Sequence, residues 1–248
     1  MRTIPKVSYG LGLGLGVTLW PLTFACVLRN RRARAFHPDG DLFAARFVAS
    51  DPTAAFLEGP ALARLAATFV RGDAEQADVI GLAVRFGASG GPELAADAQD
   101  VLTATFDGFL PTQLARGKAT TNVHDFLDND YRAIAPFVLP GAGIVHLRFR
   151  GVRRAGLSGG GLTRRARLEA AISDGAASFV LERAPLETPG AWQELGRLDL
   201  ESASEISQKQ LAFSPFHSGR GIRPTGLLNG LRRANYWLSR FMRGAPMR

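Results

Sequence analysis

The sequence predicts an α+β fold, in which an antiparallel β-barrel or sandwich carries a few helices. Short apolar runs rich in β-branched and aromatic residues recur along the chain, which is typical of strands. Turn-forming sequences separate these runs, and helical periodicity is found in only three segments after residue 34. A chain with many strands and few helices indicates an α+β layout.

Six segments are predicted as strands and three as helices. The strands are expected at residues 42–48, 79–86, 101–106, 144–149, 177–181 and 192–198. Turns separate them at residues 38–40, 87–92, 139–143 and 156–161. Helical periodicity is found at residues 59–69, 163–173 and 227–242.

Length and composition indicate one globular domain. The 248 residues include 46% hydrophobic and 21% charged residues, which excludes a wholly disordered or fibrous chain. The single cysteine, Cys26, cannot form an intramolecular disulfide. The net charge of +8 comes mostly from arginine clusters without alternating aromatic residues, so we expect no nucleic-acid partner. Such arginines can instead pair with the carboxylates of a buried cofactor.

The N-terminal segment, residues 1–33, differs in composition from the rest. No charged residue lies between Val7 and Leu28, and basic residues flank this run on both sides. The run is long enough to span a bilayer, and its heavier basic flank after Leu28 would leave residues 34–248 on the cytoplasmic side. The alternatives are a cleaved signal peptide ending near Ala25 and a segment that packs on the main domain.

The last predicted helix contains a pair of residues with helical spacing. Arg232 and Tyr236 are four residues apart, so both project from one face of the helix. A guanidinium there can hydrogen-bond the tyrosine oxygen and favours the phenolate, an anionic ligand suited to ferric iron. The alternative is an amphipathic helix whose Tyr236 packs on the core while the arginines face water.

A histidine precedes the first predicted strand. His37 lies before Pro38-Asp39-Gly40 and three residues after Arg34. A neutral imidazole at the mouth of a strand can act as a base toward a small acidic substrate. The alternative is that His37 is only a turn residue.

Several segments resemble those of one known family, in the same order along the chain. Arg34, His37 and Gly40, followed by Phe43 and Phe47, resemble the catalase segment that holds the distal histidine. Further segments that resemble catalases are residues 63–66, 78–86, 99–102 and 131–137. Residues 213–217 and 223–236 are similar to the closing motif of short catalase-related peroxidases, in which Arg-Pro-Leu-Gly leads to a helix with Arg-x-x-x-Tyr. Thr225 replaces the leucine.

This resemblance implies an α+β fold that is a catalase-like antiparallel β-barrel with flanking helices and a bound heme b. Tyr236 would be the proximal ligand to the iron, and Arg232 would hold it as the phenolate. Arg34 and Arg64 would pair with the propionates. His37 would be the proton shuttle for peroxide on the distal side.

The implied function is a heme-dependent, catalase-like peroxidase, an oxidoreductase that reduces hydrogen peroxide or organic peroxides. The alternative is a heme-free binding or structural protein of the same fold. The expected partners are peroxide and an electron donor of unknown identity. Membrane association through residues 1–33 and assembly into a homo-oligomer are left open. The expected location is the cytoplasm, or a membrane with the domain on its cytoplasmic side.

One departure from the catalase pattern concerns the distal side. Catalases have an asparagine there that orients peroxide, whereas residues 100–105 of this chain contain no amide. Thr105 offers only a hydroxyl, so we expect it to be a weaker catalytic partner of His37. The lost amide favours peroxidase-type reduction over dismutation of two peroxides.

A serine hydrolase is a different class of protein with a motif in this sequence. Residues 87–91 and 156–160 both match Gly-x-Ser-x-Gly, the nucleophile elbow. A nucleophile elbow needs a parallel sheet, whereas the sequence predicts mostly antiparallel strands. The other histidines, His124, His146 and His217, lack the i, i+4 spacing of a helical zinc site and are predicted as surface or packing residues.

Overall fold

A computed structural model describes residues 4–29, 37, 39–70, 72, 74–87, 95–106, 111–152, 163–206, 211–242 and 244. The helices within these residues are α1 (Ile4–Thr18), α2 (Trp20–Arg29), α3 (Pro111–Thr120), α4 (Arg164–Ser173) and α5 (Gly226–Met242), with a 3₁₀ helix at Pro52–Leu57. The strands are β1 (Asp41–Ala49), β2 (Gly59–Ala67), β3 (Ile80–Phe86), β4 (Gln99–Ala104), β5 (Asp130–Arg132), β6 (Phe137–Leu139), β7 (Gly143–Val152), β8 (Ser178–Pro185), β9 (Gln193–Ala203) and β10 (Arg223–Pro224).

Eight of these strands form a closed antiparallel barrel. Their order is β7-β5-β4-β3-β2-β1-β9-β8, and pairing of β8 with β7 closes the circle. Strands β6 and β10 extend the sheet beside β7. The predicted α+β barrel with flanking helices is therefore confirmed.

The barrel interior is the main hydrophobic core. Alternate residues of each strand point inward, so Phe43, Ala45 and Phe47 of β1 all belong to the interior cluster. Large aromatic residues fill the space, and the rings of Phe47 and Phe86 meet edge to face at 5.2 Å. The outer face of the same strands is left to contact the helices and the connecting segments.

One predicted helix, at residues 59–69, is wrong, because this segment forms strand β2. Its alanines, leucines and arginine are good helix formers. Ala63 and Leu65 face the barrel interior, while Leu62 packs in a second cluster on the outer face. Since the strand is buried on both faces, its sequence lacks the alternation of apolar and polar residues that identifies a strand.

The other predicted elements are confirmed, with shifted ends. The predicted strands correspond to β1, β3, β4, β7, β8 and β9, and the two remaining predicted helices correspond to α4 and α5. Helix α3 and the short strands β5, β6 and β10 are elements that the sequence pattern did not predict. Strands of two or three residues are too short to show a period.

The N-terminal helices pack against the C-terminal helix. Gly12 and Gly16 of α1 lie directly on the backbone of α5 at Leu227 and Leu231, and Gly230 of α5 lies on α1 at Tyr9. A side chain at any of these glycines would separate the two helices. Thr23 of α2 also donates a hydrogen bond of 2.6 Å to the Asn235 side chain of α5.

Taken one at a time, the described helices are too short or too polar to cross a membrane. Residues 7–18 and 20–29 together have the length and composition of a span, but the two helices meet at a bend of 56°.

Candidate functional site

A cavity of about 310 Å³ lies between the outer face of strands β2–β4 and the helices α2 and α5. Gly81 and Ala83 alternate with the interior residues Leu82 and Val84, so they face outward. Their small size leaves space above the sheet. Leu102 of β4 and Phe213 contribute apolar walls.

Four of the predicted site residues line this one cavity: His37, Arg64, Arg232 and Tyr236. They come from both ends of the chain and from the barrel. Arg34, the other predicted propionate partner, lies outside the described residues. The closed barrel therefore brings the predicted histidine and tyrosine to one space.

His37 is held by backbone carbonyl groups of strand β2 and of the residue that follows it. His37 has a positive φ of 55°, a conformation that non-glycine residues rarely adopt and that is found at functional sites. Its backbone N–H donates to the Thr68 carbonyl at 3.1 Å, and Nδ1 lies 3.1 Å from the Ala66 carbonyl oxygen. Because a carbonyl only accepts, this contact assigns the proton to Nδ1 and leaves the lone pair of the neutral ring on Nε2.

Gly81 provides the floor on which the imidazole lies. A Cβ built on Gly81 would be 2.5 Å from Cε1 of His37, closer than van der Waals contact allows. Any side chain at this position would therefore displace the ring. Gly81 lies in one of the catalase-like segments, but the sequence predicts no role for it, because the approach of residue 37 is a tertiary contact.

Arg64 is a buried cation beside His37. Its side chain is 4% exposed, and Nη2 donates to the His37 carbonyl at 3.0 Å. Gly40 makes room for it, since a Cβ there would lie 2.9 Å from the guanidinium carbon. The arginine thus fixes the backbone that carries the histidine and also lines the cavity.

On α5, Asn229 positions Arg232 toward Tyr236. The Asn229 amide nitrogen donates to the carbonyls of Pro136 and Thr225, both at 3.0 Å. Its oxygen therefore accepts from Arg232, at 3.2 Å. The other guanidinium nitrogen of Arg232 donates to the Tyr236 hydroxyl at 3.4 Å, a long hydrogen bond.

Tyr236 is the one tyrosine of the three in the chain that lines the cavity. Tyr131 is fully enclosed in the barrel, where burial raises its pKa well above the ordinary value and its hydroxyl donates to the Phe126 carbonyl at 2.7 Å. Tyr9 lies on α1, where its hydroxyl accepts from Arg233. Tyr236 also meets Phe216 edge to face at 5.9 Å, which limits the rotation of its ring.

Thr105 is not among the described residues that line the cavity. The alternation of β4 continues past its end, so Thr105 shares the direction of the interior residue Val101 and not that of Leu102. Its hydroxyl accepts from the Ile80 N–H at 3.0 Å and contacts the Thr121 hydroxyl at 2.6 Å. Thr121 in turn donates to the Gly117 carbonyl, so Thr105 donates to Thr121 and its hydroxyl is engaged in structural hydrogen bonds.

A buried network of charged residues ties α5 to the barrel next to Tyr236. Asp100 of β4 has no exposed surface and accepts two hydrogen bonds from Arg85, at 2.7 and 2.9 Å. It also accepts from the Ser214 N–H at 2.8 Å and lies 2.7 Å from Nδ1 of His217. On the other side of the imidazole, Arg240 of α5 lies 3.3 Å from Nε2.

These contacts assign His217 the tautomer with its proton on Nδ1, because Arg240 can only donate to Nε2. Burial lowers the pKa of the Arg240 guanidinium, an effect that Asp100 opposes and that Arg85 reinforces. His217 is thus a packing residue, as predicted, although its partners were not. The sequence could have indicated this network, because Arg85 and Asp100 lie in or next to apolar strand segments. Charged residues are rarely buried unless they are paired.

The remaining candidates lie outside the cavity. His124 contacts the Glu75 carboxylate on the surface, and burial lowers the pKa of His146. Of the two Gly-x-Ser-x-Gly motifs, the structure describes only Gly87. The serines of the hydrolase alternative therefore lie outside the described residues. In the part of the chain that the structure describes, no group of three or more His, Cys, Asp or Glu side chains could hold a metal ion.

The solved structures include a similar protein. The chain aligns with the crystal structure of a fungal catalase with a TM-score of 0.57 and 14% sequence identity, over 86% of this chain and 60% of that one. The chain has a catalase-like fold. At this identity the similarity shows the fold alone, and the chain spans less than two thirds of the catalase that it matches. No family model and no curated protein matches the sequence.

Proposed function

We propose that this catalase-like protein is a heme-dependent peroxidase that reduces hydrogen peroxide or organic peroxides. The observation that supports this most is the presence of His37 and Tyr236 on the walls of one cavity, together with the cations Arg64 and Arg232. A base, an ionisable phenol and two guanidinium groups in an apolar space form an uncommon combination. The catalase-like fold by itself would not support a heme peroxidase, because one fold can serve many functions.

The donor set fits a heme b. Tyrosine is the axial ligand found in catalase-type heme sites, and Arg232 donates a hydrogen bond to the Tyr236 oxygen. The wide face of the porphyrin needs apolar walls, which Ala83, Leu102 and Phe213 provide. Its two carboxylates need cations, and Arg64 is one buried cation at the cavity wall.

Each of these residues has a definite role in the proposed reaction. When bound, heme would supply the iron and the two-electron chemistry that cleaves the O–O bond. His37 would accept a proton at Nε2 from one peroxide oxygen and return it to the other oxygen, which leaves as water. The unidentified donor supplies the two electrons and two protons that complete the reduction. Because Thr105 is hydrogen-bonded elsewhere, it does not replace the catalase asparagine, and the loss of that amide favours peroxidase chemistry over dismutation.

The test of the proposal is heme binding by the full chain. Protein expressed with ample heme should show a ferric Soret band, and Tyr236→Phe should weaken heme binding at least about tenfold, because it removes the anionic ligand. Tyr9→Phe is the matched control, since Tyr9 lies on α1 and does not line the cavity. A wild-type protein without a Soret band would instead support the heme-free binding or structural protein. An unchanged band in Tyr236→Phe would reject the ligand assignment.

Gly81→Ala tests whether peroxide turnover depends on the position of the His37 ring and not only on its presence. The added methyl would displace the ring of His37, and a shift of about 1 Å in a catalytic group can cost about 100-fold in rate. We expect heme binding to be retained and peroxide turnover to fall about 10- to 100-fold. Gly14→Ala is a control for the loss of a glycine, because Gly14 has open space around it and does not line the cavity. Normal turnover in Gly81→Ala would show that the ring position does not matter.

A further inference from the structure

The exposed apolar side chains of this protein are concentrated in one region. Of the fifteen large hydrophobic residues that are exposed in the described part of the chain, eight lie on α1 and α2 and three on α5. The most exposed are Phe241 at 64% and Val7 and Leu11 at 61%. A soluble monomer rarely leaves so large an apolar surface in water, so this region is expected to be covered by a partner.

The three helices form one continuous surface. The packing of α1 on α5 through Gly12, Gly16 and Gly230 places their outer sides next to each other. Trp20 of α2 stacks on Trp237 of α5 at 5.8 Å, and Trp237 stacks on Phe241 at 5.5 Å. We call the exposed side chains of α1, α2 and α5 the apolar face. The stacked rings of Trp20, Trp237 and Phe241 include tryptophans, which are typical of the level of lipid headgroups.

The charged residues of the three helices that form the apolar face are all positive. Helices α1, α2 and α5 contain no acidic residue, and Arg29 and Arg233 are exposed beside the apolar side chains. In the sequence, Arg2, Lys6, Arg31 and Arg32 flank the first two helices. This charge complements anionic lipid headgroups. It disfavours a second copy of the chain, because two such faces would bring like charges together.

The geometry favours a helix pair that lies in the plane of the membrane over one that crosses it. A 15-residue helix such as α1 is about 22 Å long, less than the roughly 30 Å of hydrocarbon in a bilayer. The bend of 56° between α1 and α2 prevents the pair from continuing as one straight span. The contact of α1 along α5 also keeps it against the domain.

We propose that the apolar face docks this protein on an anionic lipid bilayer, with α1, α2 and α5 inserted in the plane of the interface. Leu22, Thr23 and Cys26 of α2 line the cavity. The helix that contacts lipid on one side therefore forms a wall of the cavity on the other. This proposal rests on the apolar face and not on heme, so it can stand or fail independently of the proposed function.

Binding to vesicles tests the proposal. Full-length protein, purified in mild detergent and diluted into vesicles of phosphatidylcholine and phosphatidylglycerol, should float with the lipid. Binding to pure phosphatidylcholine vesicles should be at least about tenfold weaker, because the positive charges lose their partner. Phe24→Glu combined with Phe241→Glu should reduce binding at least about tenfold, since it places charge on the apolar face. Val48→Glu is the matched control, because Val48 is 49% exposed but lies on strand β1.

Quenching by brominated lipids tests the in-plane arrangement. In a variant in which Trp20 and Trp192 are replaced, Trp237 is the only tryptophan. Bromines near the headgroup should quench its fluorescence more than bromines near the bilayer centre. A variant that keeps Trp192 alone, on the barrel, should show no quenching. Stronger quenching of Trp237 by deep bromines would contradict the in-plane arrangement. Failure to bind vesicles, or a dimer in lipid-free buffer that Phe24→Glu dissociates, would overturn the proposal.

Discussion

Asp100→Ala is expected to lower the free energy of unfolding by about 3–5 kcal/mol, because it leaves a buried arginine without its carboxylate. Arg85 is 3% exposed and is bound at two positions by Asp100. After the substitution, Arg85 would keep its 2.8 Å hydrogen bond to the Ala212 carbonyl. Among the described residues it would no longer contact a negatively charged group. Denaturant unfolding followed by circular dichroism measures the change.

The control for Asp100 is an ion pair on the surface. Glu201→Ala breaks a pair with Arg46 in which both side chains are about half exposed, so its cost should be at most about 1 kcal/mol. Replacing both Arg85 and Asp100 with apolar residues of similar size should recover part of the lost stability, since no buried charge is then left unpaired. Equal losses for Asp100→Ala and Glu201→Ala would contradict the structural role assigned to the network.

His37→Ala is expected to reduce peroxide turnover by about 10²- to 10⁴-fold, the usual contribution of a positioned acid–base group. Heme binding should be retained, because the proposed iron ligand and the cations lie on other residues. His37→Gln should lose nearly as much activity, since an amide fills the space but cannot accept and return the proton. Turnover is measured on heme-saturated protein, so that any change in stability is separated from the chemical step.

His124→Ala is the matched control for this experiment. His124 is an exposed histidine on the surface and does not line the cavity. Its removal should leave peroxide turnover unchanged. If His37→Ala kept the wild-type rate, the assignment of His37 as the proton shuttle would be wrong, even if the protein binds heme.

Most of the barrel could be predicted from local sequence, and the exceptions have physical causes. Strands such as β1 and β7 are only partly covered on one face, so their sequences carry the pattern of half-buried strands. Strand β2 is covered on both faces and was predicted as a helix. Thr105 was assigned to the site because its hydroxyl could take the place of the catalase asparagine, but the direction of its side chain depends on which face of β4 closes the barrel.

The amino-acid sequence by itself determined that α5 is a helix with Arg232 and Tyr236 on one face, because helical spacing is a local property. It also placed His37 before the first barrel strand. Only the tertiary structure decided that these residues line one cavity, that Gly81 seats the imidazole, and that Asp100 meets His217 from 117 residues away. Such contacts depend on barrel closure and helix packing, which bring together residues whose local sequences carry no information about each other.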